Sequence, residues 1–418
     1  MDMPKLIKIR QSFNNKCIND LEHVVKEQIN NLELSLKPGA SIAVTVGSRG
    51  IANIHRIVKA TVEALKEKGA NPFIIPAMGS HGGATAEGQR EVLESYGVTE
   101  EYIGAPIKSS MQTVELPQGD LVTRVFMDKF AYESDGVVVV NRVKPHTDFH
   151  GTTESGLMKM CVIGLGKHKQ ALEMHSYGVY GLKELIPAVA REVLKSGKII
   201  MGLGIVENAY DQTLAIRAAL PQDIEKEELK LLDLSRENMP HFPVDQIDLL
   251  IVDEMGKDIS GVGIDSNITG RINIKGEQDL GTPVIKKIVV TDLTEASHGN
   301  ALGIGLADFT TRRLIDKIDF KTTYENILTS TFTERGKIPI VAETDKMAVE
   351  YAFRTSGPQK TDKLRIVRIK NTLKLNEIYV SKTTLDEIKS HGNVEVLGDF
   401  RDMFDESGNL IEFDKSLD

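Results

Sequence analysis

Tryptophan is absent from the sequence, and only 5% of its 418 residues are aromatic. The two cysteines, Cys17 and Cys161, stand far apart in the chain, so we expect neither a disulfide framework nor a thiolate metal cage. No apolar run approaches the roughly 18 residues of a membrane-spanning helix, and the N-terminus lacks the apolar stretch of a signal peptide. These absences predict a cytoplasmic protein without a membrane partner.

Positive charge is scarcer than negative charge. The chain has 51 Lys and Arg against 60 Asp and Glu, a net charge of −9, and its basic residues are spread rather than massed. Since a nucleic-acid-binding surface needs clustered positive charge, we expect no nucleic-acid partner. The chain is rich in hydrophobic residues, which make up 41% of it. Its length exceeds what one hydrophobic core usually organises, which predicts two domains.

The fold class follows from the order of the hydrophobic patterns. Short runs rich in Val and Ile alternate with longer amphipathic segments, which is typical of parallel strands joined by crossover helices. The predicted strands are 41–47, 71–79, 136–144, 198–208, 247–256, 284–293 and 337–344. The predicted helices are 52–70, 85–97, and segments near 179–195 and 306–317. We therefore predict an α/β protein with two α/β domains whose sheets are mainly parallel.

A polar, proline-containing stretch at 235–246 is the candidate domain boundary. It divides the chain into an N-terminal domain, 1–240, that would carry the chemistry and a C-terminal α/β lid domain, 241–418. Roughly the last 50 residues could pack back on the first domain. In open α/β sheets, ligands bind beyond the carboxyl ends of the strands. We expect the active site there, in the cleft between the two domains.

Two loops that follow predicted strands carry unusual residues. In GSRG (47–50), glycines flank Arg49 before a helix, and backbone amides at a helix N-terminus together with an arginine suit a carboxylate or a phosphate. In GSHGG (79–83), residues that allow close backbone approach surround His81, which makes it a candidate proton carrier or ligand. A tight turn with a solvated arginine and an exposed loop histidine are the plainer interpretations.

A third region, residues 144–175, holds four of the chain's ten histidines. His146 and His150 are four residues apart, a spacing that on a helix would place both on one face and could mark a zinc site. Pro145 and Gly151 argue against a continuous helix there, so zinc is the less favoured interpretation.

Lys159 stands in an apolar context, SGLMKMCVIG, where a solvated lysine is not expected. Such a lysine snorkels to solvent, pairs with an anion, or serves as a nucleophile in covalent chemistry. His175 follows sixteen residues later, after a predicted helical turn. The sequence context of Lys159 does not choose among these roles.

The motifs GSRG, GSHGGAT with EGQREVL, a PH pair, an apolar-flanked lysine and a histidine sixteen residues beyond it resemble, in this order, the nickel-dependent lactate racemase family. The resemblance extends over residues 41 to about 210. It implies an isomerase, a racemase or epimerase of a small-molecule α-hydroxy acid that works by reversible hydride transfer. It also implies a nickel-pincer nucleotide derived from nicotinic acid, joined through a thioamide to Lys159, with His175 as the protein ligand of nickel.

The resemblance assigns further roles. His81 and His146 would act as acid and base on the substrate hydroxyl, Arg49 would bind the substrate carboxylate, and cofactor-synthesis proteins would be partners. The chain departs from the family around the lysine, where it reads SGLMKMC instead of a GGRKA-like sequence. A short insertion after the PH pair also leaves His150 as a rival to His146. The substrate could therefore differ from lactate.

Four basic residues near the site in sequence could bind the cofactor phosphate. Arg142 and Lys144 are the candidates, while for Lys167 and Lys169 a charge on a helix surface is the plainer interpretation.

The second half of the chain offers two further loops after predicted strands, DEMGKDISGVGID and TEASHGNALG. Lys257 and His298 are their candidate substrate-binding residues, because a lid domain supplies the far wall of a pocket. Packing or capping roles are the alternative for both.

Two functions of other classes stay open. A divalent-metal-dependent sugar or hydroxy-acid isomerase could use His81, His146 and His150 as ordinary ligands without a nucleotide cofactor. A noncatalytic protein could bind nickel or the cofactor without turning over a hydroxy acid.

Overall fold

The structure, a computed structural model, describes residues 3–48, 50–357 and 360–413. Its strands are β1 (Leu6–Gln11), β2 (Ser41–Val46), β3 (Asn71–Pro76), β4 (Thr113–Leu116), β5 (Val125–Asp128), β6 (Gly136–Arg142), β7 (Ile199–Glu207), β8 (Thr213–Ala219), β9 (Gln246–Val252), β10 (Val284–Val290), β11 (Phe309–Thr311), β12 (Ile340–Ala342), β13 (Ile366–Ile369), β14 (Glu377–Ser381) and β15 (Val394–Val396).

The α-helices are α1 (Leu21–Asn30), α2 (Ile54–Glu67), α3 (Ala86–Ser95), α4 (Glu100–Ile103), α5 (Lys129–Glu133), α6 (Leu157–Lys159), α7 (Lys167–Ser176), α8 (Gly178–Tyr180), α9 (Ile186–Lys195), α10 (Ile224–Asn238), α11 (Ser266–Thr269), α12 (Arg312–Asp316), α13 (Phe320–Ser330), α14 (Asp345–Thr355) and α15 (Lys382–Ile388). Two segments are π-helical, Met160–Gly164 and Gly181–Leu185. Within the described ranges, no helix is both long and apolar enough to cross a membrane.

Residues 14–239 form one compact unit around a five-stranded sheet in the order β3-β2-β6-β7-β8. Strands β3, β2, β6 and β7 are parallel, and β8 runs antiparallel to β7. The valine run of β6, Val137–Val140, is fully buried, as expected for a parallel strand that is covered on both faces.

The residues up to Phe13 and from Pro240 onward form the other compact unit. Its eight-stranded sheet has the order β12-β11-β10-β9-β13-β14-β1-β15, in which the first five strands are parallel and the last three antiparallel. The predicted fold class, α/β with mainly parallel sheets, is confirmed.

The two units differ from the expected division 1–240 and 241–418 at the N-terminus. Strand β1 satisfies its backbone hydrogen bonds by pairing with β14 and β15, so the first residues join the unit of the C-terminal half. Residues 366–413 also lie in that unit, since β13 adds to β9 and β14 adds to β13.

Local signals placed three of the four predicted helices, those at 52–70, 85–97 and near 179–195. The helix predicted over 85–97 is α3, and Thr85 caps it by accepting a hydrogen bond from the backbone N–H of Gly88 at 3.0 Å. The prediction of a helix near 306–317 is wrong over much of that range. There Phe309–Thr311 pairs with β10 and β12 as a short parallel strand, and only Arg312–Asp316 is α-helical.

Candidate active site

The unit of residues 14–239 carries the candidate site at one edge of its sheet. Since β2, β3, β6 and β7 are parallel, their carboxyl ends meet at the same edge, and the loops that follow them start there. The loop after β3 carries His81, and the loop after β6, residues 143–156, carries His146 and His150. Arg49, which follows β2, lies outside the described residues.

Two glycines let these loops approach the π-helical segment Met160–Gly164. A Cβ on Gly47 would stand 3.0 Å from Met160 Cε. Gly79 has a φ of +59°, and a Cβ on it would stand 3.0 Å from Ile163 Cγ2. The glycines of the GSRG and GSHGG motifs therefore bring the loops after β2 and β3 against the segment that directly follows Lys159. Single π-helical turns are rare in proteins, and those that occur are often found at functional sites.

A buried carboxyl group holds the start of the helical segment that carries Lys159. Glu228 of α10 accepts a hydrogen bond from the backbone N–H of Met158 at 2.8 Å. A Cβ on Gly156 would stand 2.5 Å from the carboxyl carbon, so the glycine leaves room for this approach. Complete burial raises the pKa of Glu228 to about 7, although hydrogen bonds from the backbone N–H groups of Leu157 and Met158 favour its charged form.

Lys159 and His146 meet side chain to side chain. Nζ of Lys159 lies 2.7 Å from Nε2 of His146, whose side chain is largely buried. The imidazole stacks on the ring of Phe149 with centroids 4.5 Å apart, and its Nδ1 accepts a hydrogen bond from the backbone N–H of Asp148 at 3.1 Å. Both ring nitrogens and the ring face are therefore engaged, which fixes the orientation of His146.

Glu154 organises the loop that holds both histidines. Its side chain is completely buried, and Oε2 accepts the backbone N–H of His146 at 2.6 Å. Oε1 bonds to Nδ1 of His150 at 3.1 Å, to the N–H of Gly151 at 3.1 Å and to Arg236 at 2.6 Å. Burial alone would raise the pKa of Glu154, but the hydrogen bond and charge of His150 and the two backbone donors outweigh it and lower the pKa.

The loop has no helix between residues 145 and 153, so the two histidines do not share a helix face. His146 faces Lys159, whereas the ring of His150 is held by Glu154. Across the described part of the chain, no group of three or more His, Cys, Asp or Glu is placed to hold a metal. The zinc interpretation of this pair, which needs such a cluster, finds no support in the geometry.

His175 lies in the last turn of α7 and belongs to the same cluster. Its Nδ1 is buried, and the described residues give it no hydrogen-bond partner. Burial and the positive charge of Lys159 lower the pKa of His175, while the negative charge of Asp148 opposes the shift. The lowered pKa favours the neutral imidazole of His175, whose buried Nδ1 could bind a ligand.

Lys167 is not a surface residue. Its side chain is completely buried, forms an ion pair with Asp128 at 3.0 Å, and donates hydrogen bonds to the carbonyl of Pro76 and to Gln89. Burial lowers the pKa of Lys167, and the Asp128 charge opposes this shift. Because these contacts engage the amine, Lys167 has a structural role rather than a role in phosphate binding, whereas the Lys169 amine lies over an aromatic ring.

The same network positions His81. Gln89 is buried, and its side-chain amide donates to the carbonyls of Gly79 and His81 at 2.9 and 3.2 Å. The side chain of His81 itself is exposed, just before the short 3-10 helix Gly82–Ala84. The backbone of the His81 loop is thus fixed, while its imidazole faces solvent on the edge that carries the cluster of Lys159, His146 and His175.

Arg142 and Lys144 lie at the start of the loop after β6. Arg142 forms an ion pair with Glu207 at the end of β7, and Glu207 also accepts the backbone N–H of Ala52 at 2.6 Å. The backbone of Lys144 pairs with Ser155 through hydrogen bonds of 2.8 and 3.2 Å, which closes the loop around His146. Glu207 therefore links the loop after β2 to Arg142 at the end of β6.

The other two candidates, Lys257 and His298, lie in the unit that begins again at Pro240, on loops after β9 and β10. The backbone N–H of Lys257 donates to Ser297 Oγ at 2.9 Å, so the two loops are in contact. Nζ of Lys257 donates to the carbonyl of Gly261 at 2.6 Å, and His298 is exposed in a left-handed conformation with a φ of 47°.

Two carboxylates that organise the site, Glu154 and Glu228, were not predicted from the sequence. Glu154 stands four residues after His150 and eight after His146, so its spacing in the loop was an available signal. Glu228 lies in EKEELK, which reads as the solvated face of a helix, and nothing local marks it as buried.

Comparisons with known proteins give limited matches. A family model described as a domain of unknown function, DUF362, matches residues 42–207, less than half of the chain. The solved structure of the lactate racemase apoprotein from Thermoanaerobacterium thermosaccharolyticum superposes with a TM-score of 0.48 and 12% sequence identity, covering 88% of this chain and 99% of that chain. No curated protein matches. A likeness at this level does not establish a shared activity.

Proposed function

We propose that this protein is a racemase or epimerase of an α-hydroxy acid and that Lys159 carries a nickel-pincer nucleotide. The observation that carries the proposal is the contact of the Lys159 amine with a ring nitrogen of His146 at 2.7 Å, in the same unit as a buried His175 whose pKa burial and the Lys159 charge lower. A tethered, nickel-bearing cofactor and an acid–base step need these residue types. The order of the sequence motifs supports the same interpretation.

The residues present fit this cofactor. Nδ1 of His175 is buried without a protein partner in the described chain, and the lowered pKa favours the neutral ring that Ni(II) binds. Lys159 supplies the amine for the covalent link. Lys144, together with Arg142, whose guanidinium also pairs with Glu207, would bind the phosphate of the nucleotide. When bound, the nickel-pincer nucleotide would supply a reversible acceptor for hydride.

The protein's own residues would bind and orient the substrate and move its hydroxyl proton. His146 would take this proton from one stereoisomer and His81 from the other, each contributing about 10²- to 10⁴-fold as a general base. Glu154 preorganises His146 by holding its backbone N–H at 2.6 Å. Arg49 would bind the carboxylate through two parallel hydrogen bonds, so the substrate could not turn as a whole between the two proton transfers.

Two further candidate residues lie in the unit that begins again at Pro240, on the loops after β9 and β10. Lys257 and His298 are the proposed substrate-binding residues there, and their loops already contact each other through Ser297. Cofactor-synthesis proteins are the proposed partners, since a pincer nucleotide has to be made before it can be attached.

Intact-mass measurement after coexpression with cofactor-synthesis proteins tests the tether. The wild type and the matched control Lys169→Ala should gain the same covalent mass, and Lys159→Ala should gain none. The loaded wild type should then erode the optical purity of at least one acid among lactate, larger aliphatic hydroxy acids and sugar acids.

Three results would contradict the proposal. An adduct that survives Lys159→Ala, or that maps by peptide mass to Lys167, contradicts the tether. A stable adduct without loss of optical purity for any acid favours a noncatalytic carrier. Turnover restored after chelation by Mn²⁺ or Zn²⁺ alone favours the metal-dependent isomerase.

A further inference from the structure

Strand β12 lies at an open edge of the eight-stranded sheet. Both edges of the five-stranded sheet are covered by the chain itself. On β3, the backbone N–H of Ile74 donates to the carbonyl of Pro106 at 2.8 Å, and on β8 the N–H of Ala218 donates to the side chain of Gln28 at 3.2 Å. Strand β12 pairs with β11, and among the described residues no strand pairs with its other side. An edge of this kind can add a further strand.

The ladder to β11 decides which backbone groups face the open edge. The N–H of Ile340 donates to the carbonyl of Asp308 at 3.3 Å, so the backbone groups of Ile340 point toward β11. Successive residues of a strand direct their backbone groups to alternate sides, and those of Pro339 and Val341 therefore point outward. Val341 offers an N–H and a carbonyl there, whereas Pro339 offers a carbonyl alone. The open edge can thus bond to another strand over a short segment.

Two large apolar side chains are exposed on this segment. Ile338 is 40% exposed and Ile340 is 58% exposed. Edge strands that avoid pairing are short and carry proline or lysine, and Pro339 and Lys337 fit that description. Exposed isoleucines do not, because they add apolar surface to the edge instead of charge. They favour burial against a partner.

The charges around the strand identify this partner as a second copy of the chain. Lys337 and Glu343 are both exposed, and each stands three residues from Ile340. If two copies pair antiparallel about a two-fold axis at Ile340, Lys337 of each copy lies opposite Glu343 of the other. The N–H of Val341 then meets the carbonyl of Pro339 twice, and the N–H that proline lacks is the bond lost in each half. The segment 337–343 is therefore complementary to itself.

We propose that the protein forms a symmetric dimer in which β12 pairs antiparallel with β12 of a second copy, with the two-fold axis between the two Ile340 residues. Such a contact uses the same surface on both copies and closes on itself, so it gives a dimer and not a growing fibre. The inference does not depend on the proposed function.

The side chains favour this register over its neighbour. With the axis at Ile340, the two isoleucines form a pair without mutual hydrogen bonds, the type in which opposite side chains come closest. With the axis moved to Val341, Lys337 would lie opposite Asp345. That carboxylate is buried and already bonds to Arg313 at 2.9 Å. The first register therefore uses the exposed charges, and the second does not.

Light scattering after size-exclusion chromatography of the full chain tests the dimer. At micromolar concentration, the wild type should have twice the 46.1 kDa mass of one chain. Ile340→Lys places two ammonium groups together at the axis and should raise the dissociation constant of the dimer at least about 100-fold. Leu328→Lys is the matched control, because Leu328 of α13 is 66% exposed and lies outside the strand. It should leave the dissociation constant unchanged.

Charge reversal tests the register. Lys337→Glu and Glu343→Lys each turn two attractive pairs into repulsive ones and should each raise the dissociation constant about tenfold. The double variant restores opposite charges across the axis and should return to within about threefold of the wild type. Thermal unfolding of each variant checks that it folds.

A crosslink provides a second measurement that needs no loss of binding. In a Cys17→Ser background, which removes the exposed native cysteine, Ile340→Cys should form a disulfide-linked dimer under oxidised glutathione. Directly opposite residues of a pair without mutual hydrogen bonds stand close enough for this bond. Ile338→Cys should crosslink far less, because Ala342 of the second copy lies opposite it.

Four results overturn the inference. They are a wild type that stays monomeric at micromolar concentration, a dimer that Ile340→Lys weakens no more than Leu328→Lys does, a double charge reversal that fails to restore dimerisation, and crosslinking at Ile338→Cys in preference to Ile340→Cys. A dimer that shows the expected responses in all of these measurements supports it, whether or not the protein racemises a hydroxy acid.

Discussion

In each unit, a lysine and a histidine lie on loops that follow parallel strands of the sheet, but the surroundings of the two pairs differ. In the unit of residues 14–239, the side-chain nitrogens of Lys159 and His146 lie 2.7 Å apart. In the other unit, Lys257 donates to the carbonyl of Gly261 at 2.6 Å, and His298 is exposed. The same two residue types on loops after strands therefore have different surroundings in the two units.

The carboxylates around the two pairs explain the difference. Glu154 is completely buried and collects four hydrogen bonds, two of them from backbone N–H groups, so it fixes the position of His146. Asp258 is exposed and receives hydrogen bonds from the hydroxyls of Thr294 and Ser297. A buried charge with several donors orders a loop strongly, whereas an exposed one is screened by water.

The largest contrast between the two regions should appear in metal content. His175→Ala should lose nearly all nickel while the covalent nucleotide remains on Lys159, because the ligand and the tether are separate anchors. His298→Ala should keep its nickel. Metal analysis beside intact mass checks both variants, and stoichiometric nickel in His175→Ala would refute the ligand assignment.

The acid–base pair should show the next largest effect. In single-turnover oxidation, His146→Ala should slow one stereoisomer by about 10²- to 10⁴-fold, and His81→Ala the other, because each base serves one enantiomer. Steady-state racemisation should fall in both directions for either variant, since every inversion uses both bases. His298→Ala should affect the two stereoisomers alike.

His150 is the rival in that experiment. If His150→Ala removes one half-reaction and His146→Ala leaves both intact, His150 is the base in place of His146, and the two-base mechanism still stands. If none of the three changes affects either half-reaction, two-base chemistry is excluded for this protein.

Glu154→Gln tests the buried support of the loop. We expect it to lower the free energy of unfolding by about 2–3 kcal/mol, because it weakens charge-assisted hydrogen bonds to Arg236 and His150. Asp258→Asn, the matched change in the other unit, should cost well under about 1 kcal/mol. Denaturant unfolding at pH 7 compares the two, and equal costs would remove the distinction drawn between the regions.

The pH dependence of that difference has a definite sign. The pKa of Glu154 is lowered on folding, since the His150 and backbone hydrogen bonds outweigh burial. Its stabilising contribution is therefore present above the ordinary glutamate value and is lost as pH falls through the lower folded pKa. The gap between wild type and Glu154→Gln should shrink in acid.

Glu228→Gln should change the free energy of unfolding less than Glu154→Gln does, and with the opposite sign. Burial raises the pKa of Glu228 to about 7, so the folded protein keeps a proton that the unfolded chain releases at lower pH. This group should therefore reduce stability by about 1–2 kcal/mol as pH rises from about 5 to 7, and Glu228→Gln should abolish that loss.

Asp253 of the other unit is the control for this prediction. Burial also raises its pKa, but Arg368 opposes the shift through two hydrogen bonds of 2.8 Å. Asp253→Asn should destabilise the protein at pH 7, because it leaves a buried arginine without its partner charge. Parallel responses of Glu228→Gln and Asp253→Asn would contradict this comparison.

Much of the fold was predictable from short stretches of sequence. The valine run of β6, the Thr85 cap and the glycines after β2 and β3 each act through neighbours close in the chain, so pattern and composition reveal them. The segment Phe309–Thr311 misled because a three-residue strand has too few residues to show a period of two. Its strand state depends on pairing with β10 and β12.

By itself the sequence determined the α/β class and the loops in which chemistry could lie, because hydrophobic period and turn residues are local properties. Only the tertiary structure decided which polar side chains are buried and which meet. Lys167 and Glu228 read as surface charge but are enclosed, and the contact between His146 and Lys159 spans thirteen residues of chain. Burial and side-chain contact depend on what packs from distant segments, and those segments leave no mark in the local sequence.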